Sequence, residues 1–274
     1  MKTKILLLSM ALMLVSGQWL QAQKQIQLSY QLKKGQKYVL EIKNNQTINM
    51  SMSGQSMVLK QNLNMQQNVL VSDVDDANKQ TLELTYENIL FKQNAMGMEV
   101  IWDSQNPDTI NPISKQIGQS LGGMINNSIV IVIDEKGNPI SLNKDEGLNN
   151  QTNLAGFESG MMVVYPTEKI SVGSTWSTSL KPDPKSDFVI ESTYTLDELK
   201  GNAAMISFSG TIKGTEIMGE KALINGTITG KTEVDTRNGW VTKAAVNQEL
   251  QMEMEQAGMK IPMKMNSFIE LNTK

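Results

Sequence analysis

Apolar residues along this chain recur with period two over unusual distances, the pattern of strands with one buried face. One run places Tyr38, Leu40, Ile42, Ile48, Met50 and Met52 on a single face, interrupted by Asn44 and Gln46. A second places Met57, Leu59, Leu63, Met65, Val69 and Val71 together, interrupted by Gln61 and Gln67. Ser53-Gly54-Gln55-Ser56 between them is a turn signal, so the two runs predict a long β-hairpin. Leu82, Leu84 and Tyr86 continue the alternation, followed by Met96, Met98, Val100 and Trp102. Later come Phe188, Ile190, Tyr194 and Leu196, then Ile206, Phe208 and Ile212. Ala222, Ile224, Ile228 and Val234 follow, with Gly226 and Gly230 on the same face, where glycine predicts bending or close packing. The last hairpin rises through Trp240, Ala244, Val246, Leu250, Met252 and Met254 and turns at Gln256-Ala257-Gly258. It returns through Met259, Ile261, Met263, Met265, Ile269 and Leu271. Pro262 predicts an edge strand, or a bulge near the start of that run.

The middle of the chain differs. Asn111-Pro112 reads as an N-cap followed by proline at the first helical position. Ile113, Ile117, Leu121 and Ile125 repeat every four residues and predict an amphipathic helix over 112–126, weakened by Gly118, Gly122 and Gly123. Ile129 to Ile133 is apolar on both faces, the pattern of a central strand covered on both sides. A weaker helix is predicted within 144–160. Lys34-Gly35-Gln36-Lys37-Tyr38 resembles Val172-Gly173-Ser174-Thr175-Trp176, and Met50, Met52 and Met57 have the spacing of Met252, Met254 and Met259, so a faint internal repeat is present. The predicted fold is mainly β: long antiparallel strands in a curved sheet or open barrel of two similar halves, with one or two helices packed on it or plugging it. The halves are residues 23–143 and 144–274 of one integrated domain.

Residues 1–22 read as a secretory signal peptide: Lys2 and Lys4, an apolar run from Ile5 to Val15, then Leu20-Gln21-Ala22 as the cleavage site. The run is too short for a transmembrane helix. Cleavage leaves 274 − 22 = 252 residues and a formal charge of 23 − 28 = −5. That length buries a large core without disulfides. The mild acidity argues against a nucleic-acid partner. Localisation is expected to be exported: periplasm, cell surface or secreted.

The composition narrows the chemistry. The chain contains no His and no Cys, which removes the usual general base, thiolate nucleophiles and zinc sites of the Cys or His type. Arg237 is the single arginine, so bidentate clamps on carboxylate or phosphate are scarce. Apparent motifs fail on their surroundings. Gly226–Thr232 imitates a phosphate loop one residue short and inside a strand pattern. Asp73–Asn78 lacks the glycine of a calcium loop. Ser141 and Lys144 have no companion motif, and Glu83/Glu87 is one carboxylate pair among several. No catalytic residue, metal ligand or cofactor is assigned, and no enzyme activity is expected.

The one unusual chemical feature is methionine: 19 residues, including the pairs Met50/Met52, Met96/Met98, Met252/Met254 and Met263/Met265. On a strand, each pair presents two thioethers to one face. Three uses compete: filler for an irregular core, the lining of a groove for a hydrophobic ligand, or a soft-metal site for Cu(I) or Ag(I). The candidate ligand-binding residues are Met50, Met52, Met57, Met252, Met254, Met259, Met263 and Met265.

The stretch Leu28-Ser-Tyr30-Gln-Leu32-Lys-Lys-Gly35 supplies one further pattern, with Tyr165-Pro166, Val172-Gly173-Ser-Thr-Trp176, Tyr194-Thr-Leu196 and Asp235…Asn238-Gly239-Trp240. With the signal peptide, these residues resemble an uncharacterised family of exported Gram-negative proteins, a domain of unknown function. That resemblance implies export and assigns no activity or site residue. The chain is also similar in style to periplasmic lipoprotein carriers, which are curved antiparallel sheets with helices plugging an apolar cavity; this likeness is architectural. The expectation is an exported, non-enzymatic binding or carrier protein for a hydrophobic or lipid-like ligand, with the 112–126 helix as plug or lid. The alternative is a structural or protein-interaction module of the cell envelope.

Overall fold

The period-two pattern becomes twelve antiparallel strands in one sheet among the described residues. The computed structural model describes residues 24–52, 55–107, 110–125, 127–144, 162–181, 187–217, 220–256 and 259–274. The predicted signal segment and, beyond Lys144, the second predicted helix lie outside them. The strands are β1 (Lys37–Met52), β2 (Gln55–Val74), β3 (Gln80–Ala95), β4 (Met98–Asp103), β5 (Ser128–Ile133), β6 (Pro139–Lys144), β7 (Thr175–Leu180), β8 (Val189–Lys200), β9 (Ala203–Ile217), β10 (Glu220–Asp235), β11 (Val241–Gln256) and β12 (Met259–Thr273). Their order is β6-β5-β3-β2-β1-β12-β11-β10-β9-β8-β7 in a barrel-like sheet, and β4 pairs with β3 beyond the end of β5. The two Met-rich hairpins therefore lie side by side: β1 meets β12 from Leu40↔Thr273 to Met50↔Met263.

One face of this sheet is core and the other is wet. Tyr38, Leu40 and Ile42 of β1 are buried, Val39 and Glu41 between them are half-buried, and Lys37, Lys43 and Asn45 on the same outward side are exposed. The outward row through Lys92, Asn62, Asn45, Phe268, Asn247 and Thr229 crosses six strands with one apolar member. A lipid-spanning barrel needs an apolar outward band; here the polarity is reversed. No described helix is long and apolar enough to cross a membrane.

The two ends of the sheet, β6 and β7, are joined through loop segments rather than by strand pairing. Ile26 bridges to Ile170. Tyr30 N donates to Glu135 O at 2.8 Å and Gln31 N to Asn238 O at 2.9 Å, which ties residues 26–32 to the β5–β6 and β10–β11 turns. Tyr165 N donates to Lys136 O at 2.8 Å, and Trp176 Nε1 donates to Val164 O at 2.8 Å, so residues 163–165 link the β5–β6 turn to β7. Leu28, Tyr30, Val163 and Tyr165 are buried. This strap seals the end of the barrel opposite the β1–β2 and β11–β12 turns.

The internal repeat has a physical basis. Gln36 N donates to Lys33 O, and Ser174 N to Ser171 O. Gly35 and Gly173 sit at the third position of these turns with φ +84° and +87°, the left-handed conformation a type II turn requires there. Each turn launches a strand whose early aromatic is stacked: Tyr38 on Trp240 at 4.2 Å and Trp176 on Tyr194 at 5.4 Å.

The helix α1 spans Pro112–Leu121 and passes into a 3-10 turn at Gly122–Met124, so it ends short of 126 where the two glycines weaken it. Asn111 Oδ1 accepts from Ile113 N and Ser114 N at 2.9 and 3.2 Å. Gly118 rests on the buried Trp102 indole, where an added Cβ would lie 2.7 Å from Nε1. Asn111→Ala is expected to lower the protection of the 113–121 amides by about 1 kcal/mol, measured by native-state hydrogen exchange. An unchanged exchange pattern would show that packing on Trp102 alone orders the helix.

Three local expectations are corrected. Met96 is not on a strand face: it occupies a turn with Gly97 at φ 52°, and it is 79% exposed. Pro262 lies in an interior strand, not an edge, but the β1–β12 ladder stops at Met263, so the proline lies just past its end. β5 is not covered on both faces: Ile129, Ile131 and Ile133 are buried, whereas Val130 and Val132 are half-buried.

Candidate binding face

Directly opposed residues of neighbouring strands point the same way, so the register resolves the inner face into rows. The row through Met50 reads Met57 (β2), Met50 (β1), Met263 (β12), Met252 (β11) and Ile224 (β10). Four thioether side chains on four consecutive strands thus lie in one line. The next row towards the sealed end reads Ala95, Leu59, Ile48, Met265, Leu250 and Gly226. Below it is a polar row: Gln93, Gln61, Gln46, Ser267 and Gln248, then Ile228 and Gly210, then Ser192. Below that, Phe91, Leu63, Asn44, Ile269 and Val246 return to apolar packing.

Burial is graded along these rows. On β2 the inward positions Met65, Gln67, Val69 and Val71 are buried, while Met57, Leu59, Gln61 and Leu63 are only half-buried. β1 behaves alike: Tyr38 to Ile42 are buried, and Asn44, Gln46, Ile48 and Met50 are half-buried. Met263 and Met265 on β12 are half-buried and pack against the core. On the other wall, Met252 and Leu250 of β11 and Ile224 of β10 are buried. The inner face of β3-β2-β1-β12 therefore carries a half-exposed apolar lining towards the hairpin turns, continuous with a filled core.

Of the sequence-predicted site residues, Met50, Met57, Met252 and Met263 come together in one row, and Met265 flanks it. The strand positions of Met52, Met254 and Met259 pair with Gln55, Ile261 and Gln256; their side chains lie outside the described residues. The sequence reading missed Ser267, Gln248 and Ser192 as members of the polar row. Each is a lone polar residue at an inward position of its own strand, but only the register aligns them.

Polarity on this face is neutral. The rows from Ile42 to Met50 hold no charged side chain. Gln61 Nε2 donates to Gln93 Oε1 at 2.8 Å. Asn44 Oδ1 and Ser267 Oγ are buried and have no hydrogen-bond partner among the described residues. Among the described residues no three carboxylate, His or Cys groups converge, and the Met row offers only thioether ligands, which suit soft cations. Glu83 and Glu87 face outwards, Glu87 accepting from Gln66 and Asn68 and Glu83 from Ser128. Asp73–Asn78 is a solvated turn whose Asp75 Oδ1 accepts from Ala77 N and Lys79 N.

Residues 145–241 match the model of a family of unknown function (DUF6263), so the resemblance to an uncharacterised family holds over that stretch. The translocator domain of the autotransporter NalP from Neisseria meningitidis is similar over 88% of this chain and 89% of that one, at 7% identity and a TM-score of 0.25. No curated protein matches the chain.

Proposed function

We propose that the protein is an exported, non-enzymatic binding or carrier protein for a hydrophobic or lipid-like ligand, held on the inner face of β3-β2-β1-β12. One observation carries this reading: inward apolar side chains that are buried near the strap stay half-exposed from Leu63 and Ile48 to Met57 and Met50. Water against such a lining is unfavourable by roughly 25 cal/mol per Å2 of apolar surface, and a guest that covers it recovers that term. Methionine suits the role because its unbranched thioether adapts to guests of different shape. Helix α1, seated on Trp102, walls the face at its β4 margin.

The test uses N-phenyl-1-naphthylamine, a neutral apolar fluorophore. Binding is expected to raise its emission, and changing Met50, Met57 and Met263 together to Ser is expected to weaken binding at least tenfold while far-UV circular dichroism is unchanged. No emission change with the unaltered protein would contradict the carrier reading.

The alternative, an interaction module of the envelope, draws on a different surface. Val58 and Ile101 are 46% and 44% exposed on the outward face near the β3–β4 hairpin, and Val58 lines a cleft of about 500 Å3 with Lys60 and Lys92. Crosslinking from that hairpin to an envelope protein, with no fluorophore bound, would favour it.

A further inference from the structure

The lining is apolar, but it is crossed by a neutral polar row, and this restricts what it accepts. Alternate residues on a strand lie about 6.7 Å apart, so the Gln46–Ser267 row sits about 13 Å below the Met50–Met263 row, with Ile48, Leu59 and Met265 between. A guest spanning these rows meets apolar side chains near the hairpin turns and hydrogen-bonding groups deeper in.

The character of those groups is specific. Gln61 and Gln93 bond to each other, whereas Asn44 Oδ1 and Ser267 Oγ are buried without a described partner. An amide oxygen accepts only, and a serine hydroxyl accepts as well as donates. An unsatisfied buried acceptor costs roughly 1–3 kcal/mol, so a guest that brings a donor to Asn44 and Ser267 is favoured. A charged head is not. No side chain in the rows from Ile42 to Met50 carries a charge to pair with it, and an unpaired ion removed from water is penalised far more heavily than a neutral polar group.

We infer that the ligand is a neutral amphiphile with a hydroxyl- or amide-bearing head, seated with that head on Gln46 and Ser267 and on Asn44 one row deeper, and with its apolar part against Ile48, Met50, Met263 and Met265. Ionised fatty acids, phospholipid anions and alkylammonium cations are poor guests. This rests on the carrier reading and adds the ligand class.

The test is displacement of N-phenyl-1-naphthylamine from the full chain at pH 8 by three compounds of equal chain length: 1-decanoylglycerol, decanoate and decylammonium. The expected result is that 1-decanoylglycerol displaces the fluorophore at a concentration at least tenfold lower than either ion. Ser267→Ala is expected to weaken 1-decanoylglycerol about fivefold, a larger loss than for decanoate or decylammonium measured on the same variant. If decanoate or decylammonium competes as well as the monoglyceride, the neutral-head inference is overturned and the carrier reading stands. If the fluorophore itself does not bind, both are overturned.

Discussion

Gly239→Ala is expected to lower the unfolding free energy by roughly 2–5 kcal/mol, the sum of a left-handed backbone penalty and an overpacked contact. Gly239 has φ +72°, and a Cβ there would overlap the carbonyl oxygen of Ser29 and approach its carbonyl carbon at 2.7 Å. Both atoms belong to the strap, so relief requires the strap to move. That movement threatens the bond from Gln31 N to Asn238 O and the 2.7 Å bond from Tyr165 OH to Gly239 O. Gly173 supplies the control: its φ is +87°, and nothing lies within 4 Å of an added Cβ. Gly173→Ala should therefore cost only the conformational part, about 1–2 kcal/mol. Denaturant midpoints of the two variants read the difference. Equal losses would mean that the strap does not press on the β10–β11 turn.

Alkaline unfolding is the second large effect. Burial pushes the hydroxyls of Tyr30 and Tyr165 well above their ordinary value of 10, and it raises that of Tyr194 too. Burial and the nearby charge of Asp235 push Tyr38 up to about 12. The folded state thus holds these protons more tightly than the unfolded chain does. A raised pKa gives stability that is fully present below the unfolded value and lost as pH rises above it. Stability should be flat with respect to these groups below about pH 9 and then fall. Three such tyrosines contribute a slope of up to about 4 kcal/mol per pH unit. Tyrosinate absorbance should appear together with loss of the β-sheet circular dichroism signal, in one cooperative step. Tyr165→Phe, which removes one ionising group, should make the step shallower. Tyrosines that titrate near pH 10 with the sheet intact would contradict a sealed base.

The strands were legible because their periodicity is long and their burial one-sided. Tyr38 to Met52 and Met57 to Val71 fall on β1 and β2, but Gln55 and Ser56, read from the sequence as part of the turn, belong to β2 and pair with Met52 and Ser51, which sets the register Met50↔Met57. The strap was not legible. Residues 26–32 and 162–170 have no periodicity, because they are ordered by hydrogen bonds to turns distant in sequence: Gln31 to Asn238 and Tyr30 to Glu135 span more than a hundred residues, and Tyr165 to Lys136 spans 29. Met96 misled because it extends the alternation by one residue into a turn, and its positive φ is one that methionine seldom adopts. Pro262 reads as an edge signal and lies at an edge only in part, where β1 ends and β12 continues. The Met row was half legible: the pairing of β1 with β2, and of β11 with β12, follows from hairpin turns. The β1–β12 contact that joins the two hairpins is a closure between distant parts of the chain. The polar row depends on that same contact, which is why Ser267 and Gln46 are neighbours only in the folded sheet.

The central claim is that the inner face of β3-β2-β1-β12 holds an apolar guest, and methionine offers a direct probe. The protein labelled with 13C at the methionine methyl groups would be titrated with N-phenyl-1-naphthylamine, its resonances assigned by single Met→Leu substitutions. The methyls of Met50, Met57, Met263 and Met265 should shift or broaden together in a saturable way. Those of Met96, on the exposed turn, and Met205, outward-facing on β9, should stay in place. Shifts confined to Met96 and Met205, or no saturable shift at any of the four inner methionines, would contradict the claim.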